Sequence, residues 1–133
     1  MGVMGLVYAK ILLRNPLNAS LAAYETNAMV DTGALLLCVP EHVATQLKLP
    51  TLQEREVTTA DGKTHVCPYV GPVELTFGNR SCFVGALVLG EEVLLGAVPM
   101  EDLDVVITPS KQTIEANPRS PNIPSAVVKG FVR

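Results

Sequence analysis

The chain is predicted to fold as a mostly β domain, a closed or folded sheet carrying one or two short helices. Three observations lead there. Short runs rich in Val and Leu recur between turn residues, and two tight-turn pairs, Asp61-Gly62 and Gly78-Asn79, each separate strand-like arms. Only "EHVATQLKL" and "AVPMEDLD" have the spacing or the proline placement of helices. With 133 residues, 48% of them hydrophobic and none of them Trp, the chain suits one domain that buries roughly two-thirds of its unfolded surface.

Taken in order, "VYAKILLR" (7 to 14) alternates, is rich in β-branched and aromatic residues, and stops at Asn15-Pro16, so it reads as a strand ending in a turn. "SLAAYETNAMV" (20 to 30) has helical propensity, but its second half is assigned to a strand because it runs straight into Asp31-Thr32-Gly33, a trio that breaks helices. "LLLCV" (35 to 39) follows as a short apolar strand, with core expected for at least two of Leu35, Leu36 and Leu37. Pro40 suits the first turn of a helix whose Val43, Ala44 and Leu47 share one face before Pro50 closes it. From residue 55 the pattern is β: a hairpin about Asp61-Gly62, then one about Gly78-Asn79 with Val73, Leu75 and Phe77 on one face. "EEVLLG" is a short buried strand, "AVPMEDLD" a short helix, and "VVITPSKQTIEA" a last strand pair about Thr108-Pro109-Ser110. Residues 118–133, with prolines at 118, 121 and 124, form an extended arm that needs a surface or partner to lie on, beyond a domain of residues 1–117.

Composition removes several function classes. The net charge is -3 and the 10 Lys and Arg residues are scattered, so neither a nucleic-acid footprint nor a membrane-surface role is expected. The N-terminal stretch has no basic segment ahead of an apolar run, which argues against a signal peptide or a membrane span. Gly2 does not begin a myristoylation motif, because Leu6 stands where Ser or Thr is required. Cys38, Cys67 and Cys82 are widely spaced and read as reduced, buried thiols of a cytoplasmic protein. With His42 and His65 in no ligand spacing, no metal and no other cofactor is expected.

The chemistry lies in "NAMVDTGALLLCVP", residues 27 to 40. An ionisable side chain beside a core is paired, solvated or employed. As a bare triplet, Asp31-Thr32-Gly33 also fits an ordinary turn in which the carboxylate bonds its own backbone. Here Met29 and Val30 lead in and Ala34 and an apolar run lead out, so the carboxylate emerges from inside a sheet. A second apolar stretch ending in glycine, "VLLGAVPMEDLD", stands some sixty-five residues later. Together "MGLVYAKILLRNP", "MVDTGA", "TTADGKTH", "VLLGAVPMEDLDVVI" and "NPRSPNIPSAVVKG" resemble the retropepsin-like aspartic proteases, and more narrowly their small prokaryotic members, over nearly the whole chain.

The resemblance implies a small closed β-barrel of the retropepsin type and an aspartic endopeptidase acting on peptides or proteins. Hydrolysis of a peptide bond needs a base for the water and an acid for the leaving amine, which two carboxylates sharing one proton supply. Only one such motif is present, so the implied enzyme is a homodimer with Asp31 given by each subunit. Thr32 would hold the loop through the partner's loop, while Gly33, Ala34 and Gly96 would let it pack closely. Thr58, Thr59, Ala60, Asp61 and Gly62 would form a substrate-binding flap. The chain departs from viral relatives in having Leu35 and Leu36 where they have acids, Ala97 where they have an arginine, and fewer flap glycines. The proline-rich arm is the candidate for replacement interface strands. The competing reading is a catalytically silent barrel that binds peptide segments or a partner protein, with Asp31 as a turn residue.

Overall fold

The computed structural model describes residues 6–130. Gly2 and the last three residues of the C-terminal arm lie outside this range. Among the described residues nine strands and two α-helices follow the order expected. The strands are β1 (Tyr8–Arg14), β2 (Tyr24–Val30), β3 (Leu37–Val39), β4 (Thr51–Thr58), β5 (Thr64–Phe77), β6 (Arg80–Val88), β7 (Leu94–Leu95), β8 (Val105–Thr108) and β9 (Thr113–Ala116). Helix α1 is Glu41–Gln46 and α2 is Ala97–Leu103. No helix among the described residues is long and apolar enough to cross a membrane.

Strand order β1-β2-β7-β3-β6-β5, with β5 returning to β1, closes a barrel, and β4 is added outside it on β5. Closure removes the unpaired edges that a flat sheet would expose. Alternation decides what fills the barrel: Ala9, Ile11 and Leu13 of β1 point inward, as do Val73 and Leu75 of β5, while Phe77 is partly buried beside them. Strand β3 is buried on both faces, so its apolar run does not alternate. Helix α1 closes one end with Val43, Ala44 and Leu47, and α2 packs Met100 and Leu103 against the core. Deleting any of the larger of these side chains is expected to destabilise by about 2–5 kcal/mol.

The two long strands of the β4–β5 hairpin differ in extent from the sequence reading. Strand β4 begins at Thr51, and β5 runs unbroken through Gly71-Pro72, its pairing with β6 shifting register between Val70 and Val73. Pro72 lacks an N–H to donate, and the shift accommodates that loss without ending the strand. Both expected turns form. Gly78 takes φ 55 beside Asn79, and Gly62 takes φ 82 in a tip running from Thr59 to Lys63, conformations open to glycine at little strain.

The first part of the arm lies on its own barrel. Asp104, left-handed at the end of α2, accepts from Asn117 Nδ2 (2.9 Å), Ser120 Oγ (2.5 Å) and the Ser125 N–H (2.8 Å). These bonds hold its carboxyl well below the usual carboxylate range, Ser120 contributing most and Arg80 least. Arg80, with no exposed surface, donates to the Ser120 carbonyl and stands 3.7 Å from Asp104. Asn79 Nδ2 donates to the Pro121 carbonyl at 3.1 Å.

Candidate active site

Asp31 follows the last residue of β2, and its loop is held by backbone from the far half of the chain. Val30 pairs with Leu95 in the parallel β2–β7 ladder, and the Asp31 N–H donates to the Leu95 carbonyl at 3.0 Å. At the start of α2 the N–H groups of Ala97 and Val98 donate to the carbonyls of Ala34 and Leu35, each at 2.9 Å. Gly96 makes that approach possible, since a Cβ there would stand 2.4 Å from the Leu36 carbonyl oxygen. The Gly33 N–H donates to Asp31 Oδ1 at 2.9 Å, and Thr32 and Gly33 are exposed.

Leu35 and Leu36 depart from the core expectation. Only Leu37 is buried; Leu36 is half-buried and Leu35 is 64% exposed. Their backbone is committed to α2 through Ala34 and Leu35, which delays the start of β3 to residue 37 and leaves both side chains at the rim of the site.

Asp31, Gly33, Ala34, Leu35 and Leu36 form one wall of a cavity of about 740 Å³, and Arg55 to Ala60 of the β4–β5 hairpin form the opposite wall. Of the expected flap residues, Thr58, Thr59 and Ala60 reach this cavity, whereas Asp61 and Gly62 lie at the tip beyond it. Asp61 organises that tip, accepting from Thr59 Oγ1 (2.6 Å) and the Lys63 N–H (3.0 Å). The Thr59 bond, then the Lys63 bond, holds its carboxyl below the ordinary value. Leu87, Leu89 and Leu94 give the floor an apolar surface.

Sequence reasoning missed seven lining residues: Arg55, Glu56 and Val57 of the hairpin, Leu87, Leu89 and Leu94 of the floor, and Cys38. The signal for Arg55 was its register: residues 55, 57 and 59 alternate with more exposed neighbours and so share the inner face of the hairpin. Cys38 is buried as expected, but on the cavity wall. Burial first, then Cys67 and Asp31, pushes its thiol up. Cys67 and Cys82 are also free and buried. No group of His, Cys, Asp or Glu among the described residues could hold a metal ion.

The arrangement presents one loop carboxylate to an apolar trough roofed by a hairpin, a geometry suited to water activation beside an extended chain. Asp102 and Asp104 belong to α2 and its end, outside the cavity. Glu56 lines the trough, but its side chain is exposed on the outward positions of β4.

The family model described as "gag-polyprotein putative aspartyl protease" matches residues 17–102, well over half of the chain and inclusive of both Asp31 and Gly96. The chain therefore belongs to that family and is a retropepsin-like aspartic protease by descent. The solution structure of the Simian Foamy Virus (mac) protease aligns with 70% of this chain and 90% of that chain, at 18% identity and a TM-score of 0.47. No curated protein matches the chain.

Proposed function

We propose that the protein is an endopeptidase whose active site is completed by a second copy, with Asp31 from each subunit flanking one water. The observation that carries this is the single loop carboxylate facing the hairpin across a cavity of about 740 Å³. One carboxylate removes a proton from the water as it attacks the scissile carbonyl, and the other, protonated, hydrogen-bonds the carbonyl oxygen. The proton taken from water then passes to the departing amine.

Exposed apolar groups around the loop support a partner at this face: Leu35 is 64% and Val98 40% exposed beside exposed Thr32 and Gly33. In this reading Thr32 bonds across the two-fold axis, residues 1–117 form the protease domain, and residues 118–133 add contacts through Val127 and Val128, which are 79% and 69% exposed. The hairpin closes over substrate, with the backbone of Thr58 to Ala60 offering strand-like pairing.

The bond from the Gly33 N–H to Asp31 Oδ1 favours a second reading, in which the acid is a turn residue of a peptide-binding module. Asp31→Asn separates them. An enzyme loses cleavage of unstructured peptides at mildly acidic pH while retaining its fold and its dimer. Undiminished cleavage by Asp31→Asn refutes the catalytic role.

A further inference from the structure

Arg55 is held in a geometry that its own chain does not use. Its guanidinium carbon lies 4.1 Å from the centre of the Tyr69 ring, a cation-on-aromatic stack that fixes the guanidinium plane. Tyr69 is seated in turn on Gly85, where an added Cβ would come within 2.1 Å of the ring. With the Gln53 amide oxygen facing it, Arg55 donates from Nε and Nη2 to that oxygen at 3.1 Å each. The glycine, the ring and the amide form a layered seat for one guanidinium.

An arginine carries five N–H donors in a rigid fork. Gln53 takes the Nε side, so the terminal Nη1 and Nη2 edge stays open, and that edge matches the two oxygens of a carboxylate. Among the described residues no carboxylate forms a salt bridge with Arg55. Its neighbours Glu54 and Glu56 occupy the outward positions of β4, whereas Arg55, Val57 and Thr59 share the inner face. Arg55 therefore offers a pre-oriented, unneutralised cation to the same cavity that Asp31 enters.

We infer that Arg55 is a specificity-determining residue that binds an acidic side chain of an extended peptide occupying the Asp31 cavity. This rests on the peptidase reading above and adds the class of substrate. The fixed fork favours a carboxylate over a neutral amide, because two charge-assisted bonds form and little side-chain freedom is lost on binding.

The test uses peptide pairs that differ by Glu against Gln, stepped through each position, with free-acid and amidated C-termini. The parent is expected to cleave the Glu member of one pair at least roughly tenfold faster in kcat/KM, the scale of a charge-assisted bond. Arg55→Gln is expected to erase that ratio, and Arg55→Lys to keep only part of it, because a point charge lacks the fork. The same pairs are titrated onto the Asp31→Asn protein, which reads recognition without cleavage. If the parent cleaves nothing yet the Asp31→Asn protein prefers Glu in an Arg55-dependent way, the peptidase reading fails and the recognition site stands. Equal rates and affinities for Glu and Gln at every position, a ratio unchanged in Arg55→Gln, or a preference that follows the free C-terminus overturns the inference.

Discussion

Replacing Gly96 with alanine tests the packing on which the position of Asp31 depends. A Cβ on Gly96 would lie 2.4 Å from the Leu36 carbonyl oxygen, 2.7 Å from that of Ala34 and 2.8 Å from the Leu35 carbonyl carbon. All three are backbone atoms, so no change of rotamer relieves the contact. Either the Asp31 loop or the start of α2 must move. The backbone there, φ -87 and ψ -176, is open to any residue, so no conformational strain enters. Two effects oppose each other. Alanine restricts the unfolded chain, which stabilises by about 0.4–1 kcal/mol. Overpacking destabilises by about 1–3 kcal/mol. Moving α2 away also weakens the two bonds from Ala97 and Val98, both 2.9 Å, each worth about 0.5–1.5 kcal/mol. The steric side wins, and a net loss of about 2–4 kcal/mol is expected. Urea unfolding at one fixed protein concentration measures it. Gly33→Ala is the control, because its Cβ would meet only the Asp31 side chain at 3.2 Å, and a loss under about 1 kcal/mol is expected. A Gly96→Ala protein within about 0.5 kcal/mol of the parent at unchanged m would refute the reasoning.

The buried pair at the foot of the arm gives an ordering. Asp104→Asn should lower the urea midpoint further than Arg80→Met, because it strands a guanidinium with no exposed surface, whereas Arg80→Met leaves a carboxylate still bonded to Asn117, Ser120 and Ser125; the reverse order would show that the arm's bonds, not the buried cation, dominate. Since Asp104 titrates below its unfolded value of 3.8, its stabilisation is complete above that value and is lost as pH falls below it, and limited proteolysis beyond residue 117 should then accelerate. Burial, aided by Asp102, pushes the Cys82 thiol from 9.0 up to about 12; the unfolded thiol ionises first as pH rises, so stability declines across that window, and Cys82→Ala should flatten the alkaline slope of the unfolding free energy. An unchanged slope would assign the decline to other groups. Sedimentation should find dimers of the intact chain at micromolar concentration, and a monomer at every concentration would leave Asp31 without its counterpart.

The elements legible in the sequence were those set by local chemistry. Asp61-Gly62 and Gly78-Asn79 turn where expected because glycine takes the positive φ that other residues resist. Pro40 and Pro50 bracket α1, and Val43, Ala44 and Leu47 share its buried face. The Asp31 loop was legible from its apolar flanks. What escaped was set by distant chain. Leu35 and Leu36 look like core, yet α2 captures the backbone there, a partner invisible at that point of the sequence. Arg80 follows a turn and looks like a surface cation, but Asp104 and the Ser120 carbonyl draw it fully inside. Arg55 could be placed on the hairpin, but its Tyr69 and Gly85 seat depends on the β5–β6 register.

The parallel ladder between β2 and β7 has a consequence for synthesis on the ribosome. The support for Asp31 comes from Leu95, Ala97 and Val98, which are made some sixty-five residues after it. At ordinary elongation rates this is a wait of roughly 3 to 13 seconds. Throughout it the nascent segment has neither the Leu95 carbonyl nor the α2 amides to shape its turn. A chain cut off before β7 carries the acid but lacks the backbone that shapes its loop, so the carboxylate is emitted early and positioned late.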